Sequence, residues 1–328
     1  STHIPHFKDF GKTANNLLTL GYPAIKEDPD FNEYVESSAG ISVATAPRDD
    51  FSLKSGITNT VGNGKEATDA KFETSNQVGD IVSVDGTYRT KGVLSFDAKF
   101  DKVIPVDGLK VSLGLNAEKK KQYGCIAASF CHEFFHAHAC VDVPISTPLF
   151  DWVDAAEIAS NKPKIDAHVT TGLKEQNVYV SGGVEATKVE ESYHVDKYSV
   201  TGMFQDGDFA TTLGYTQEFQ QTATGAKPSG RDARTVSATF TSKVTSDVTV
   251  AVGVDHEINA SDTVGTIGFG YPLNSDANVG LKYDTKKRAG FNYSHKLSAN
   301  STLSTGALFE AAGSDIKSYY AFKLSLKQ

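Results

Sequence analysis

From about residue 34 onward the chain alternates apolar and polar residues with a period of two, in stretches long enough to cross a bilayer as tilted strands. Val248, Val250, Val252 and Val254 alternate with Thr249, Ala251, Gly253 and Asp255. Leu109, Val111, Leu113 and Leu115 alternate with Lys110, Ser112, Gly114 and Asn116, and Tyr320, Phe322, Leu324 and Leu326 with Ala321, Lys323, Ser325 and Lys327. Val236–Phe240 and Ala277–Tyr283 repeat the pattern. Successive side chains of a strand point to opposite faces, so each stretch has one apolar and one polar side. The stretches run about 9–12 residues and end in turn clusters such as Asp-Gly, Asn-Ser-Asp or Ala-Gly-Ser-Asp.

The pattern predicts strands at 34–46, 50–61, 67–75, 79–89, 91–101, 108–118, 123–131, 134–143, 163–174, 177–188, 193–204, 208–217, 233–243, 247–257, 262–271, 277–284, 287–296, 301–310 and 315–327. That is about nineteen strands joined mostly by short turns, an all-β up-and-down meander. A soluble sandwich would have to share its core between two sheets, which so many long alternating strands make unwieldy. A closed barrel removes every sheet edge and satisfies the backbone within lipid. The expected fold is therefore a transmembrane β-barrel over 34–327. The two longer connections, 144–162 and 218–232, follow even-numbered strands and are expected on the end that carries the termini.

Composition agrees with this. Hydrophobic residues make up 39% and charged residues 22%, and the mean hydropathy is −0.30. No stretch reaches the roughly 20 apolar residues of a membrane helix, but a barrel with a polar lumen has the same average. Thirteen Tyr and 19 Phe against one Met, with abundant Val, Thr and Ser, favour strands. The net charge of −8 and the absence of a basic run or basic-aromatic platform speak against nucleic-acid binding. Cys125, Cys131 and Cys140 do not resemble a disulfide framework, and a reducing, intracellular setting is expected. Ser1–Pro5 shows no basic region followed by an apolar one, so no secretory signal is expected.

The first 22 residues differ from the rest. Phe7, Phe10, Ala14, Leu17 and Leu18 recur at helical spacing, while Lys8, Asp9, Lys12, Asn15, Asn16 and Thr19 occupy the other side. Pro5 suits a first helical turn and Gly21 a C-terminal stop. This predicts one amphipathic helix within 1–22.

No catalytic constellation is expected. His132-Glu133-Phe134-Phe135-His136 matches H-E-x-x-H, but that chemistry needs one helical face, and here a hairpin turn is expected inside the motif. His136, His138 and Cys140 share the polar face of their strand. Neutral imidazole and thiolate suit soft metals, yet lumen lining is the plainer reading, and no metal or cofactor is expected.

The run Phe7-Lys8-Asp9-Phe10-Gly11-Lys12-Thr13-Ala14, with Gly21-Tyr22 behind it, resembles the start of the voltage-dependent anion channel (mitochondrial porin) family. Tyr271–Asp284 and on to Gly290 resembles the eukaryotic porin signature, with departures at Asn274, Leu281 and Thr285. Gly108-Leu109-Lys110 resembles a family motif associated with nucleotide contact. Tyr319-x-Ala321-x-x-Leu324-x-Leu326 resembles the sorting signal of mitochondrial outer-membrane barrels, with Ala for Gly. Bacterial outer-membrane barrels have even strand numbers, so an odd count fits the same family.

The resemblance implies a voltage-gated pore for ATP, ADP, phosphate and small ions across the mitochondrial outer membrane. Phe7, Phe10, Gly11, Lys12, Ala14, Leu17 and Leu18 would form a gating helix inside the lumen. Lys8, Lys12, Lys91, Lys99, Lys110, Lys282, Arg288 and Lys323 would line the pore and favour anions. Asp85, Asp97, Asp101, Glu118, Asp255 and Asp284 project on the same side as those cations and leave the sign of selectivity open. The implied partners are membrane lipids, small anionic metabolites and nucleotides, with self-association or docking to other outer-membrane proteins through the long loops. Three rival readings stand beside this: a protein-import pore of the outer-membrane translocase, a porin-like structural subunit of a membrane assembly, and a soluble β-rich binding protein.

Overall fold

The computed structural model describes residues 9–10, 12, 18, 37–62, 65–78, 82–90, 92–101, 106–151, 153–189, 192–219, 233–312 and 315–327. The strands are β1 (Ser37–Arg48), β2 (Phe51–Gly62), β3 (Lys65–Val78), β4 (Val82–Arg89), β5 (Val93–Asp101), β6 (Leu109–Glu118), β7 (Lys121–Cys131), β8 (Phe135–Pro144), β9 (Lys164–Leu173) and β10 (Val178–Val189). They continue with β11 (Ser192–Asp206), β12 (Phe209–Glu218), β13 (Ala233–Lys243), β14 (Thr249–Glu257), β15 (Asp262–Pro272), β16 (Ala277–Asp284), β17 (Arg288–Ser298), β18 (Ser301–Ala312) and β19 (Asp315–Lys327). Every stretch predicted from the alternation overlaps one of them.

The strands form a single 19-stranded sheet in which each pairs antiparallel with the next. The sheet closes through a parallel pairing of β1 with β19, from Ser37 opposite Tyr320 to Ala44 opposite Lys327. An odd number of antiparallel strands can close only this way, because the first and the last run in the same direction. The closure leaves no edge with unpaired backbone groups.

It also corrects the expected placement of the termini. The even-numbered strands finish at the end where β1 starts, so the 145–163 connection after β8 and the strand ends Glu218 and Ala233 lie there. Lys327 finishes β19 at the opposite end, since β19 runs parallel to β1. The 145–163 loop therefore shares an end with the start of the barrel but not with its finish.

Cross-strand partners share a face, so the register can be followed around the barrel. Ile41 stands opposite Ile57, Phe72 opposite Tyr88, Ala98 opposite Leu113, Ala137 opposite Val169 and Phe291 opposite Leu281. Phe322 stands opposite Ala39 across the closure. One predominantly apolar face results, with a predominantly polar face behind it. A barrel of this size is too wide for inward side chains to fill, so an inward apolar face would line water. The apolar face is the outer one, which leaves Leu213 63% and Ile57 54% exposed on it.

One connection is built onto this outer face. The 145–163 segment holds a short helix, α1 (Ala155–Ile158), whose N-cap Asp154 accepts from the backbone N–H groups of Ala156 and Glu157. Ile158 and Val153 are buried. Asp154 N–H donates to the Lys119 carbonyl at 2.8 Å, tying the segment to the β6–β7 turn. Beneath it, Gln122 is fully buried at an outer-face position opposite Ala117. Its Nε2 donates to the carbonyls of Ile145 (3.2 Å) and Thr147 (2.8 Å), and its Oε1 accepts from Leu149 N–H at 3.0 Å.

Candidate pore wall

The inner wall changes character around its circumference. On β2–β6 it is a lattice of paired charges. Lys99 Nζ lies 2.7 Å from Asp85 Oδ2 and 3.6 Å from Asp97, and Ser75 Oγ donates to Asp85 at 2.6 Å. Glu73 is shared by Lys71 (2.6 Å) and Lys54 (3.3 Å). Here a basic ladder would repel itself, and the carboxylates one or two residues away cancel most of it.

On β7–β11 the wall carries thiols, imidazoles and carboxylates. Ser129 Oγ and His138 Nδ1 are 2.7 Å apart, and His168 Nε2 lies 2.6 Å from Asp166 Oδ1. The His168 ring lies across Gly183, where any Cβ would fall 2.1 Å from its Nδ1. A cavity of about 530 Å³ opens beside these strands, lined by Asp142, Lys164, Asp166, Glu185 and Asp196 among others. Lys197 is held between Glu185 and Glu218 at 3.7 and 3.4 Å. On β12–β14 the wall is mostly small and hydroxylated, with charged residues toward the strand ends at Glu218, Lys243 and Asp255: Thr212 and Thr239 hydroxyls meet at 2.6 Å, and Ala251 and Thr241 are buried.

The residues picked out by sequence divide accordingly. Register places Lys99, Lys110, Lys282, Arg288 and Lys323 on the inner face, together with Asp85, Asp97, Glu118, Asp255 and Asp284. Arg288 is a structural cation rather than a free one: its Nε lies 2.7 Å from Asp284 Oδ2, and Asp284, 1% exposed, also accepts from the Arg288 N–H at 3.1 Å. Phe7, Lys8, Gly11, Ala14, Leu17 and Lys91 lie outside the described residues. Of the expected helix, Phe10 is buried, Lys12 pairs with Asp9 at 3.7 Å, and Leu18 lies against Gly253 on the inner wall, its Cδ1 2.7 Å from where a Cβ would sit.

Gly108, Leu109 and Lys110 do not act together. Gly108 has φ +82°, and a Cβ there would fall 2.0 Å from the Cys131 carbonyl, so the turn itself demands glycine. Leu109 stands opposite Phe130 on the outer face. Lys110 alone of the three presents its side chain to the lumen. The H-E-x-x-H run is divided by the turn, with His132–Phe134 in the β7–β8 connection and His136 on β8. Gln122 was missed at the sequence level; its signal was a polar side chain at an apolar-parity position.

The sequence matches the model of the eukaryotic porin family over residues 4–319. Among curated proteins no sequence matches it. Among solved structures, a mutant of the Rh. blastica porin is 11% identical, covering 79% of this chain and 91% of its own, with a TM-score of 0.46. A loop-deletion form of OmpT, an outer membrane protein of Vibrio cholerae, is 10% identical over 85% of this chain and 99% of its own, at a TM-score of 0.40. The translocation pore of the P pilus usher is 14% identical over 83% of this chain, at a TM-score of 0.37, and this chain spans 58% of its length.

Proposed function

Given that the chain belongs to the eukaryotic porin family, we propose that its barrel is a voltage-gated diffusion pore passing ATP, ADP, phosphate and small ions across the mitochondrial outer membrane. The observation that carries the reading is a predominantly polar inner face behind an outer face on which Ile57, Phe72, Leu113, Leu213, Phe240 and Leu281 lie exposed. Side chains that wet a wide lumen give solutes a path, and those that face lipid hold the wall in the bilayer. Leu18 against Gly253 and the buried Phe10 support a gating segment inside the lumen. Lys12, Lys99, Lys110, Lys282 and Lys323 supply positive charge to the path. The carboxylates beside them lead to weak rather than strong anion preference.

The acid-rich arc of β8–β12 favours a second reading, a passage for basic presequence peptides. Recording from the purified chain in planar bilayers separates the two. The metabolite pore gives open channels that close at high voltage of either sign and pass ATP. Block by presequence peptides without ATP passage supports the import pore, and the absence of channels overturns both.

A further inference from the structure

The inner wall between β7 and β8 holds a group of side chains that solute passage does not need. Cys125 stands opposite Asp142, and Cys140 opposite Ala127, so the two cysteines are diagonal neighbours across one hairpin. Their sulfurs are 2.8 Å apart, and the Cys140 sulfur lies 3.6 Å from Asp142 Oδ1. One ligand atom from each of the three lies within 4.8 Å of the others, and all three residues are half-buried.

Two sulfurs and a carboxylate oxygen on one patch are a donor set for borderline-to-soft divalent cations. Metal–sulfur bonds of about 2.3 Å and a metal–oxygen bond of about 2.1 Å in a tetrahedron space the ligands about 3.8 Å (S···S) and about 3.6 Å (S···O) apart. The Cys140–Asp142 spacing already has that value. The sulfurs reach theirs by opening about 1 Å, a side-chain rotation for which the lumen leaves room. The surroundings attract a cation as well. Asp166 stands opposite Cys140 on the next strand, and the adjoining cavity sets Asp142, Asp166, Glu185 and Asp196 against Lys164. A disulfide between the same thiols needs the sulfurs to close to about 2.05 Å and gives Asp142 no part.

We propose that Cys125, Cys140 and Asp142 form a lumenal binding site for a divalent cation of the Zn²⁺ or Cd²⁺ kind, with the fourth position open to lumen water. Binding converts both thiols to metal-bound thiolates and releases their two protons to solvent. The site lies toward the end of the barrel that carries the 145–163 loop, beside the acidic arc of the wall, and the two released protons offset the charge of the bound cation.

The test is a Cd²⁺ titration of the full chain in detergent micelles, kept reduced with a phosphine, following the ultraviolet thiolate-to-cadmium charge-transfer band. The expected result is saturation at one Cd²⁺ per barrel. Cys125→Ser and Cys140→Ser each abolish the band, Asp142→Asn weakens binding by about tenfold or more, and Cys131→Ser leaves it unchanged. Circular dichroism verifies that each variant is folded. Co²⁺ on the unmutated chain should give the visible spectrum of a tetrahedral thiolate complex, a readout that needs no variant. No band in the reduced chain, a band that survives Cys140→Ser, or equal loss in Cys131→Ser overturns the site. So does a Cys125–Cys140 disulfide found by peptide mapping in protein that, once reduced, takes up no Cd²⁺.

Discussion

The outer and inner faces of the same nineteen strands obey different rules. Outside, Ile57, Phe72, Leu113, Leu213, Phe240 and Leu281 are interchangeable in kind, because one solvent, the lipid tail, sets one requirement for all of them. Inside, water accepts almost any polar side chain, and the wall differs from arc to arc. Charges are paired on β2–β6, thiols, imidazoles and carboxylates gather on β7–β11, and small and hydroxyl residues line β12–β14. The apolar face suits the barrel to the membrane, and the polar face lines the lumen.

The largest expected effect is an exception to that division. Arg288→Gln removes the partner of a buried inner-face carboxylate, Asp284, and should cost about 3–5 kcal/mol, read as a lower denaturant midpoint for the barrel in micelles. Asp284→Asn together with Arg288→Gln should recover part of that loss. If Arg288→Gln alone costs nothing, the pair is decorative and the inner face is uniformly tolerant.

Next comes a direct contrast between neighbours on β12. Leu213→Arg places a charge at the middle of the lipid-facing side and should cost about 2–4 kcal/mol. Thr212→Arg, one residue away on the wall of the lumen, should cost at most about 0.5 kcal/mol and should alter conductance. Equal costs would erase the distinction between faces.

Gln122→Ala strips three hydrogen bonds from the 145–163 loop. It should lower stability by about 1–3 kcal/mol and open that loop to limited proteolysis while channel conductance is kept. The smallest expected effect is that of Lys99→Gln, which leaves Asp85 and Asp97 without their shared cation. The permeability ratio in a salt gradient should move toward cations by no more than about fivefold, the equivalent of about 1 kcal/mol, with folding unaffected.

The sequence carried the barrel because period-two alternation is imposed by the bilayer on every strand independently. Each of the predicted stretches therefore stands without knowledge of its neighbours. Features that depend on register were less legible. The polar face of β8 suggested His136, His138 and Cys140 as a group along one strand, whereas the closest ligand set crosses to β7 and joins Cys140 to Cys125 and Asp142. That neighbourhood depends on the three-residue turn at His132–Phe134, which alternation alone does not locate. Gln122 belongs to the same class, since its role needs the loop to fold back over the outer face. The neutralisation of Lys99 and Arg288 by Asp85, Asp97 and Asp284 follows from cross-strand and turn geometry rather than from parity.

The assignment of faces is tested most directly by cysteine scanning along β6 in a chain freed of Cys125, Cys131 and Cys140. Each residue from Lys110 to Asn116 is replaced in turn, the protein is reconstituted in lipid vesicles, and labelling by a membrane-impermeant thiol reagent is measured. The expected result is strict alternation, with positions 110, 112, 114 and 116 labelled from the aqueous lumen and positions 111, 113 and 115 shielded by lipid. Uniform labelling, or the opposite alternation, would contradict a membrane barrel with a polar lumen.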